Sequence, residues 1–383
     1  MKKVIGYLKK ELMLTVSVLA AVISLFITPP SAELFSNIDW RTLGTLFMML
    51  TVLEGFKKEN IFRPVLKLAG KLKSMAVLSL FLVFSVFFSS MFVTNDISLI
   101  IFVPLTIILF RAGNKEKYIL PVITMENIAA IRGSLLTPFG SPQNLFIFGQ
   151  SGVSAWQFIL YMLPVWAISG ALLIVFVLFL YRKNIKEKTS LTDPSFAGEW
   201  KKEGRVRRIA YLAVFAAVIA AIISRTPYWM YIVPLVASAV FVIDKSILIK
   251  TDYVLLLTFL CFFIFSSSIA HNESISGFLK DAVAGHEYVW GILLSQLISN
   301  VPAGIVLYPF SINKGALLYG LDSAGLCSII GSLASVINYR IYVREYPGSG
   351  KKFLIVFTLI SLLFFAFVVV PGYFISLTPL QAN

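Results

Sequence analysis

Cysteine and histidine are scarce in this chain of 383 residues, which has two of each. Cys261 and Cys327 are far apart and lie in apolar surroundings, so they predict neither a disulfide framework nor a Cys/His metal site. The chain also lacks the His-Glu-x-x-His sequence of zinc hydrolases, the Gly-x-Ser-x-Gly sequence of serine hydrolases and the Gly-x-x-x-x-Gly-Lys-Ser/Thr loop that binds ATP. We therefore do not expect an enzyme.

Charged residues are few and mostly basic. They make up 14% of the chain, against 58% hydrophobic residues, and the formal net charge is +14. Such a charge on a soluble protein would suggest a nucleic-acid partner, but here the cations lie in short blocks between apolar runs. Runs such as 75–91 and 353–370 are about long enough to cross a bilayer. The sequence therefore predicts an all-α polytopic membrane protein in a lipid bilayer, with no nucleic-acid partner.

The hydropathy pattern predicts nine uninterrupted helices and two interrupted spans. The uninterrupted helices are expected at about 12–28, 40–56, 75–93, 97–110, 158–181, 206–224, 228–243, 252–270 and 353–376. The interrupted spans are expected at about 117–150 and 315–343, with a basic amphipathic stretch at 57–73 and a polar external connection at 271–287. The first run also fits a signal peptide, an alternative that leaves the downstream topology unchanged.

The distribution of lysine and arginine predicts an orientation in the inner (cell) membrane. With the amino terminus cytoplasmic, 28 of the 33 basic residues fall in cytoplasmic segments, and the carboxyl terminus is external. The polar segment 182–204 is then a cytoplasmic linker between a first membrane repeat, 1–181, and a second, inverted one, 205–383. Matching pairs recur in order at a shrinking offset, as in Asp39 and Asp252, then Asn95 and Asn300, then Ser141 and Ser332.

Polar tips interrupt the apolar runs at two places. Thr94, Asn95 and Asp96 stand between long apolar stretches, as do Ser299 and Asn300. Backbone groups freed at such tips cannot face lipid, so a re-entrant hairpin that lines a cavity would satisfy them. An ordinary short loop between two full spans is the alternative.

The loop around 133–144 is a more specific signal, because two prolines and two glycines interrupt an apolar span there. It predicts a discontinuous helix whose freed carbonyls and amides bind ions. The counterpart at 328–335 is milder, and a glycine-rich packing face explains it equally well.

These motifs resemble those of the ion transporter superfamily, and within it the citrate-transporter-like proteins, which include divalent-anion/sodium symporters, arsenite permeases and sodium/proton antiporters. The most specific piece is Thr137-Pro138-Phe139-Gly140-Ser141-Pro142-Gln143-Asn144. The resemblance implies two inverted-topology repeats, each with a re-entrant hairpin and a discontinuous helix, whose tips and breaks surround the substrate. It also implies a homodimer and a sodium ion near Asn95, Asp96 and Asn300. Neither tip reads Ser-Asn-Thr, as in the dicarboxylate symporters, so substrate identity does not carry over.

The predicted substrate and ion site combines the tips, the two breaks and one buried cation. Its members are Thr94, Asn95, Asp96, Arg132, Thr137, Gly140, Ser141, Asn144, Ser299, Asn300, Ser328, Ser332 and Ser335. Asp96 would bind a coupling ion or proton, or else pair with Arg132. Arg132 would meet an anionic substrate, or else neutralise Asp96 or Glu126.

The leading hypothesis is a secondary transporter of a small carboxylate or inorganic oxyanion, coupled to sodium or protons, with no cofactor beyond the coupling ion. A cation/proton antiporter that uses Asp96 is the main alternative. A channel, or a membrane protein with an assembly role, would also be compatible with the hydropathy.

Overall fold

The structure is a computed structural model that describes residues 12–69, 71–184, 187–188 and 204–380. Within these ranges it is helical and contains no β-strand. The first half has α1 (Leu12–Ile27), α2 (Ala32–Ser36), α3 (Trp40–Lys58), α4 (Arg63–Ala69), α5 (Met75–Val93), α6 (Asn95–Ala112), α7 (Ile119–Ser134), α8 (Pro142–Ser151) and α9 (Ala155–Leu180). The second half has α10 (Arg205–Ser224), α11 (Trp229–Lys250), α12 (Tyr253–His271), α13 (Glu273–Val283), α14 (Glu287–Ile298), α15 (Asn300–Leu307), α16 (Lys314–Ala324), α17 (Leu333–Glu345) and α18 (Gly350–Ser376).

The nine uninterrupted helices are present, and both interrupted spans are broken as predicted. Seven helices are long and apolar enough to cross a membrane, namely α5, α6, α9, α10, α11, α12 and α18. Two segments for which hydropathy predicted no helix contain a short one. The polar connection 271–287 contains α13, which begins because the side chain of Asn272 accepts a hydrogen bond from the amide of Ile275. The amphipathic stretch 57–73 contains the end of α3 and the seven-residue α4.

The helices pack into two groups. The frame group consists of α1, α3, α10, α11 and α12, in which α12 packs on α1, and α3 packs on α10 and α11. The site group consists of α5 to α9 and α14 to α18, in which the paired helices α5 and α6, and α14 and α15, form two hairpins. The groups meet chiefly where α12 contacts α15 and where α3 contacts α8 and α6. Movement of one group against the other would therefore disturb few contacts.

Two related halves are visible in the backbone. Asp39 and Asp252 precede α3 and α12 with nearly the same angles, φ −75° and ψ 75° against φ −76° and ψ 81°. Each carboxylate accepts a hydrogen bond from the amide three residues on, and so caps its helix. The boundaries at 181 and 205 stay a prediction, since residues 185–186 and 189–203 of the linker lie outside the described residues.

A glutamate joins the two ends of each hairpin. In the first, Glu187 accepts from Lys115 Nζ at 2.7 Å and from the Tyr118 hydroxyl at 2.6 Å, and its carbonyl accepts from the amide of Met75. In the second, Glu287 begins α14 and accepts from the amides of Ile312 and Asn313 at 2.9 and 3.0 Å. The open end of each hairpin is thereby fixed, and its tip is left to reach inward.

Candidate substrate and ion site

Both hairpin tips turn in the same way. Thr94 has φ 67° and ψ 157°, Ser299 has φ 70° and ψ 159°, and in each case the next residue is the asparagine that begins the following helix. A positive φ at a residue with a side chain costs about 1–3 kcal/mol, so surrounding contacts must hold it. The structure around each tip therefore holds the helix break that precedes Asn95 or Asn300.

The first discontinuous helix breaks between Ser134 and Pro142. The side-chain amide of Asn144 donates to three carbonyls in the break, those of Ser134, Leu135 and Thr137, at 3.2 to 3.3 Å. A Cβ on Gly140 would lie 2.1 Å from the carbonyl oxygen of Ser134, so the loop closes tightly only with glycine. The side chain of Asn144 thus binds three of the freed carbonyls that the sequence predicts would bind an ion.

The second break, between Ala324 and Leu333, follows the same plan. Ser335 stands at the repeat position of Asn144, and its hydroxyl lies 3.5 Å from the carbonyl of Gly325. A Cβ on Gly331 would lie 2.2 Å from the carbonyl oxygen of Ala324, as in the first loop. The segment is therefore a true helix break, so the alternative of a continuous glycine-rich packing face does not hold.

Each tip is tied to the break of its own repeat. Thr137 Oγ1 donates to the carbonyl of Met91, and Ser328 Oγ donates to Oε1 of Gln296, 2.7 Å away. Met91 and Gln296 occupy matching positions three residues before the two turns. In the second repeat the amide of Asn300 also donates to the carbonyl of Gly331 at 3.2 Å. The tips and breaks therefore lie side by side within each repeat.

Arg132 is fully buried and does not pair with Asp96 or Glu126. Its Nε donates to Ser169 Oγ at 2.9 Å, and one terminal nitrogen donates to the carbonyl of Asp322 at 3.1 Å. Glu126 instead accepts from Thr106 Oγ1 at 2.5 Å. The expectation that Arg132 neutralises either acid was wrong, because its side chain crosses from α7 to α9 and α16.

Two polar residues that sequence reasoning underweighted complete this buried layer. Gln143 Nε2 donates to the carboxylate of Asp322 at 2.9 Å, and this bond joins the second half of one broken helix to the first half of the other. At the offset of 191 that pairs Ser141 with Ser332, Asp322 stands one residue before the counterpart of Arg132. That position in the repeat was the signal that could have found it.

A cavity of about 530 Å³ opens between the two groups of helices and reaches the first tip. Thr94, Asp96 and Ser141 lie in its wall, and its other charged residues are Glu54, Lys57, Lys250 and Asp252. Oδ1 of Asp96 and the hydroxyl of Ser141 are buried and find no hydrogen-bond partner among the described residues. The cavity wall thus has a mixed charge and contains two residues whose buried oxygen atoms lack a partner.

A second cavity of about 210 Å³ lies at the opposite end of α3 and α12. The larger cavity is lined by Lys57, near the end of α3, and by Asp252, before α12, whereas the smaller one is lined by Asp39 and His271. The two helices therefore run antiparallel, and the cavities open at opposite ends of them. Of the described residues that line the smaller cavity, none belongs to the predicted site.

Contacts between the groups close this second end. Gln150 Nε2 on α8 donates to Asp39 Oδ2 at 2.7 Å, and Ser266 Oγ on α12 donates to the carbonyl of Ile305 at 2.9 Å. The rings of Phe146 and Phe263 meet with centroids 5.5 Å apart. The site is therefore reached through the end at which Lys57 and Asp252 lie.

The predicted residues divide into four sets. Thr94, Asp96 and Ser141 face the larger cavity. Asn95, Ser299, Asn300 and Ser332 are buried at or beside the tips. Thr137, Gly140, Asn144, Ser328 and Ser335 hold the breaks, while Arg132 belongs to the buried polar layer.

The protein family that the sequence matches is consistent with this arrangement. The model of a family described as citrate transporter matches residues 4–331, most of the chain. The chain belongs to the citrate transporter family. It is a multi-pass membrane protein, and membership in this family indicates a transport role.

Two relatives agree with that assignment, and one solved structure has a similar fold. An uncharacterized transporter of Methanocaldococcus jannaschii is 31% identical over 311 residues, which cover 81% of this chain and 83% of that protein. The inner membrane protein YbiR of Escherichia coli (strain K12) is 30% identical over 313 residues, 79% of this chain and 80% of that protein. The crystal structure of the Alcanivorax borkumensis YdaH transporter, which has an unusual topology, matches with a TM-score of 0.59 at 15% identity and covers 96% of this chain and 99% of that one. The latter likeness shows the fold alone.

Proposed function

We propose that this family member is a secondary transporter that carries a small carboxylate or inorganic oxyanion, coupled to sodium or protons, by alternating access. The observation that carries the proposal is the pair of cavities at opposite ends of α3 and α12, of which only the larger reaches Thr94, Asp96 and Ser141. Inverted repeats around one site are the architecture by which such carriers expose it to each side in turn.

Asp96 is the group that takes the coupling ion in this proposal. A carboxylate in a low-dielectric site is costly unless a cation or proton neutralises it, and Arg132 is turned away toward Ser169 and Asp322. The hydroxyls of Thr94 and Ser141 line the same cavity and would supply further oxygen ligands for sodium. Uptake of the ion would change the charge beside the anion and so couple their binding.

The larger cavity opens to the cytoplasm in this proposal. Lys57 and Lys250 lie at its wall, on the side that holds most lysines and arginines under the predicted orientation. The amino terminus is then cytoplasmic and the carboxyl terminus external, in the inner membrane. A homodimer, no nucleic-acid partner and no cofactor beyond the coupling ion remain parts of the same proposal.

Uptake into proteoliposomes tests the function. Radiolabelled citrate, sulfate and arsenite would be supplied under imposed sodium gradients, proton gradients or neither. We expect one anion to accumulate only when one of the gradients is present. Absence of gradient-dependent uptake across the whole panel, from protein that still binds a ligand in a thermal-shift assay, would overturn the anion proposal.

A cation/proton antiporter is the second candidate, because the cavity has three carboxylates, those of Glu54, Asp96 and Asp252, against two lysines. Proton exchange for sodium or lithium in everted vesicles would then depend on Asp96. Loss of exchange in Asp96→Asn, with exchange retained in Glu54→Gln at the wall of the same cavity, would favour this candidate. Unchanged exchange in Asp96→Asn would exclude it.

A further inference from the structure

The frame group presents one capping aspartate at each end of the site group. Asp39 lines the smaller cavity and Asp252 lines the larger one. Both have the same backbone angles and use one carboxylate oxygen, Oδ1, to cap the helix that follows. The second oxygen, Oδ2, of Asp39 also accepts from Gln150 Nε2 at 2.7 Å. At the closed end, therefore, the capping aspartate latches the second half of a broken helix.

The matching position at the open end is apolar. At the offset of 191 residues that pairs Ser141 with Ser332, the counterpart of Gln150 is Ile341. Phe146 and Ile337 are related by the same offset, and they line the smaller and the larger cavity respectively. The repeat relation thus extends along both helices, but an isoleucine cannot donate a hydrogen bond to Asp252.

Arg344 lies one turn beyond Ile341 on the cavity side of α17. Leu333 and Ile337 line the cavity, and Arg344 is seven residues after Ile337, on nearly the same face of the helix. Side chains on a helix lean toward its amino terminus, so that of Arg344 leans over the turn containing Ile341. Its guanidinium is now 4.0 Å from its neighbour Glu345, and its side chain is 74% exposed, so that contact holds it weakly.

We infer that Asp252 and Arg344 form the latch of the opposite state, in which the larger cavity closes as the smaller one opens. The inference rests on the proposed alternating access. An amide–carboxylate latch holds one end and an ion pair holds the other, and both are exposed and weak, so each can release as the other forms. Because only the second latch joins two charges, salt should weaken it selectively.

Distances between spin labels test the two latches without any substrate. Both native cysteines would be replaced by alanine. Labels at Trp40 and Ser151 would report the Asp39 end, and labels at Tyr253 and Glu345 would report the Asp252 end. Trp40 and Tyr253 are repeat counterparts, exposed by 47% and 49%. We expect a minor short distance at the Asp252 end and an equal minor long distance at the Asp39 end.

Variants assign the short distance to the latch. Arg344→Gln and Asp252→Asn should each reduce its population by a factor of about two to five, the range for an exposed ion pair. The double variant should lose no more than either single one, and 1 M salt should reduce the population in the parent protein but not in Arg344→Gln. Gln150→Ala should increase it.

The inference is overturned if no short distance exists, if the two single variants act additively, or if Arg340→Gln rather than Arg344→Gln removes it. Arg340, which already has a partner, is the matched control on the same helix. Failure of every anion in the uptake assay would refute the proposed function but leave these distances intact. Anion uptake without any short distance would refute the latch alone.

Discussion

The two hairpin tips have the same backbone and different chemistry. Thr94 and Ser299 adopt nearly identical angles, and an asparagine follows each. The next residue is Asp96 in the first tip and Val301 in the second. The first tip lines the cavity, whereas the second is fastened to its break through the bond from Asn300 to Gly331. The two repeats therefore share the shape of the tips, whereas a charged side chain stands directly after the asparagine in the first tip only.

Asp96→Asn should have the largest effect. The substitution keeps the shape of the side chain but removes its charge, so ion-coupled uptake should fall by about 100-fold or more, equivalent to roughly 3 kcal/mol of lost coupling. Val301→Asn, which places the same residue at the matching position of the second tip, should leave uptake within about threefold. Equal losses at the two tips would contradict the assignment of the coupling ion to Asp96.

Gly140→Ala and Gly331→Ala should destabilise the protein similarly. Each Cβ would lie 2.1 or 2.2 Å from a carbonyl oxygen, so the loop must move at a cost of about 1–3 kcal/mol. The thermal unfolding midpoint in detergent measures this. Gly149→Ala is the control, since its Cβ would meet only Thr42 Oγ1, at an ordinary 3.6 Å. A midpoint lowered in only one of the two loop variants would contradict their equivalence.

Asn144→Ala and Ser335→Ala should separate the two breaks. Asn144 donates to three carbonyls in its break, so its loss should cost about 2–3 kcal/mol. Ser335 makes one long bond of 3.5 Å to the carbonyl of Gly325 and accepts from Asn127 Nδ2 at 3.0 Å, so its loss should cost about 1–2 kcal/mol. Midpoints of unfolding compare them directly. A larger loss of stability in Ser335→Ala than in Asn144→Ala would mean that the second break depends more on its side-chain hydrogen bonds.

The hairpin bases should give the smallest effect. Hydrogen bonds from Lys115 and Tyr118 lower the pKa of Glu187 below its usual value of 4.5. The resulting stability is present above that value and is lost as pH falls through the lowered pKa. Glu187→Gln should therefore reduce the unfolding midpoint slightly at pH 7 and flatten its fall below about pH 4.5. A variant that unfolds like the parent at every pH would show that the Glu187 side chain does not stabilise the first hairpin.

Local sequence patterns predicted most of the fold but only part of the site. Proline and glycine at the first break, and polar tips between apolar runs, predicted the interruptions because lipid does not tolerate unpaired backbone groups. The partner of Arg132 could not be predicted, since which acid it meets depends on how α7 crosses α9 and α16. The role of Asn144 was hidden for a similar reason, because its amide turns back onto its own loop. Helix α13 was missed because its polar residues outweighed the cap at Asn272.

The amide of Asn144 leaves the first break with few carbonyl oxygens to offer a visiting ion. In the proposed carrier, selectivity among ions would then depend on side chains at the cavity wall, chiefly Thr94, Asp96 and Ser141. These can change by single substitutions while the loop behind them keeps its shape. Proteins that share this loop could therefore differ in the substrate they bind while their core keeps the same structure.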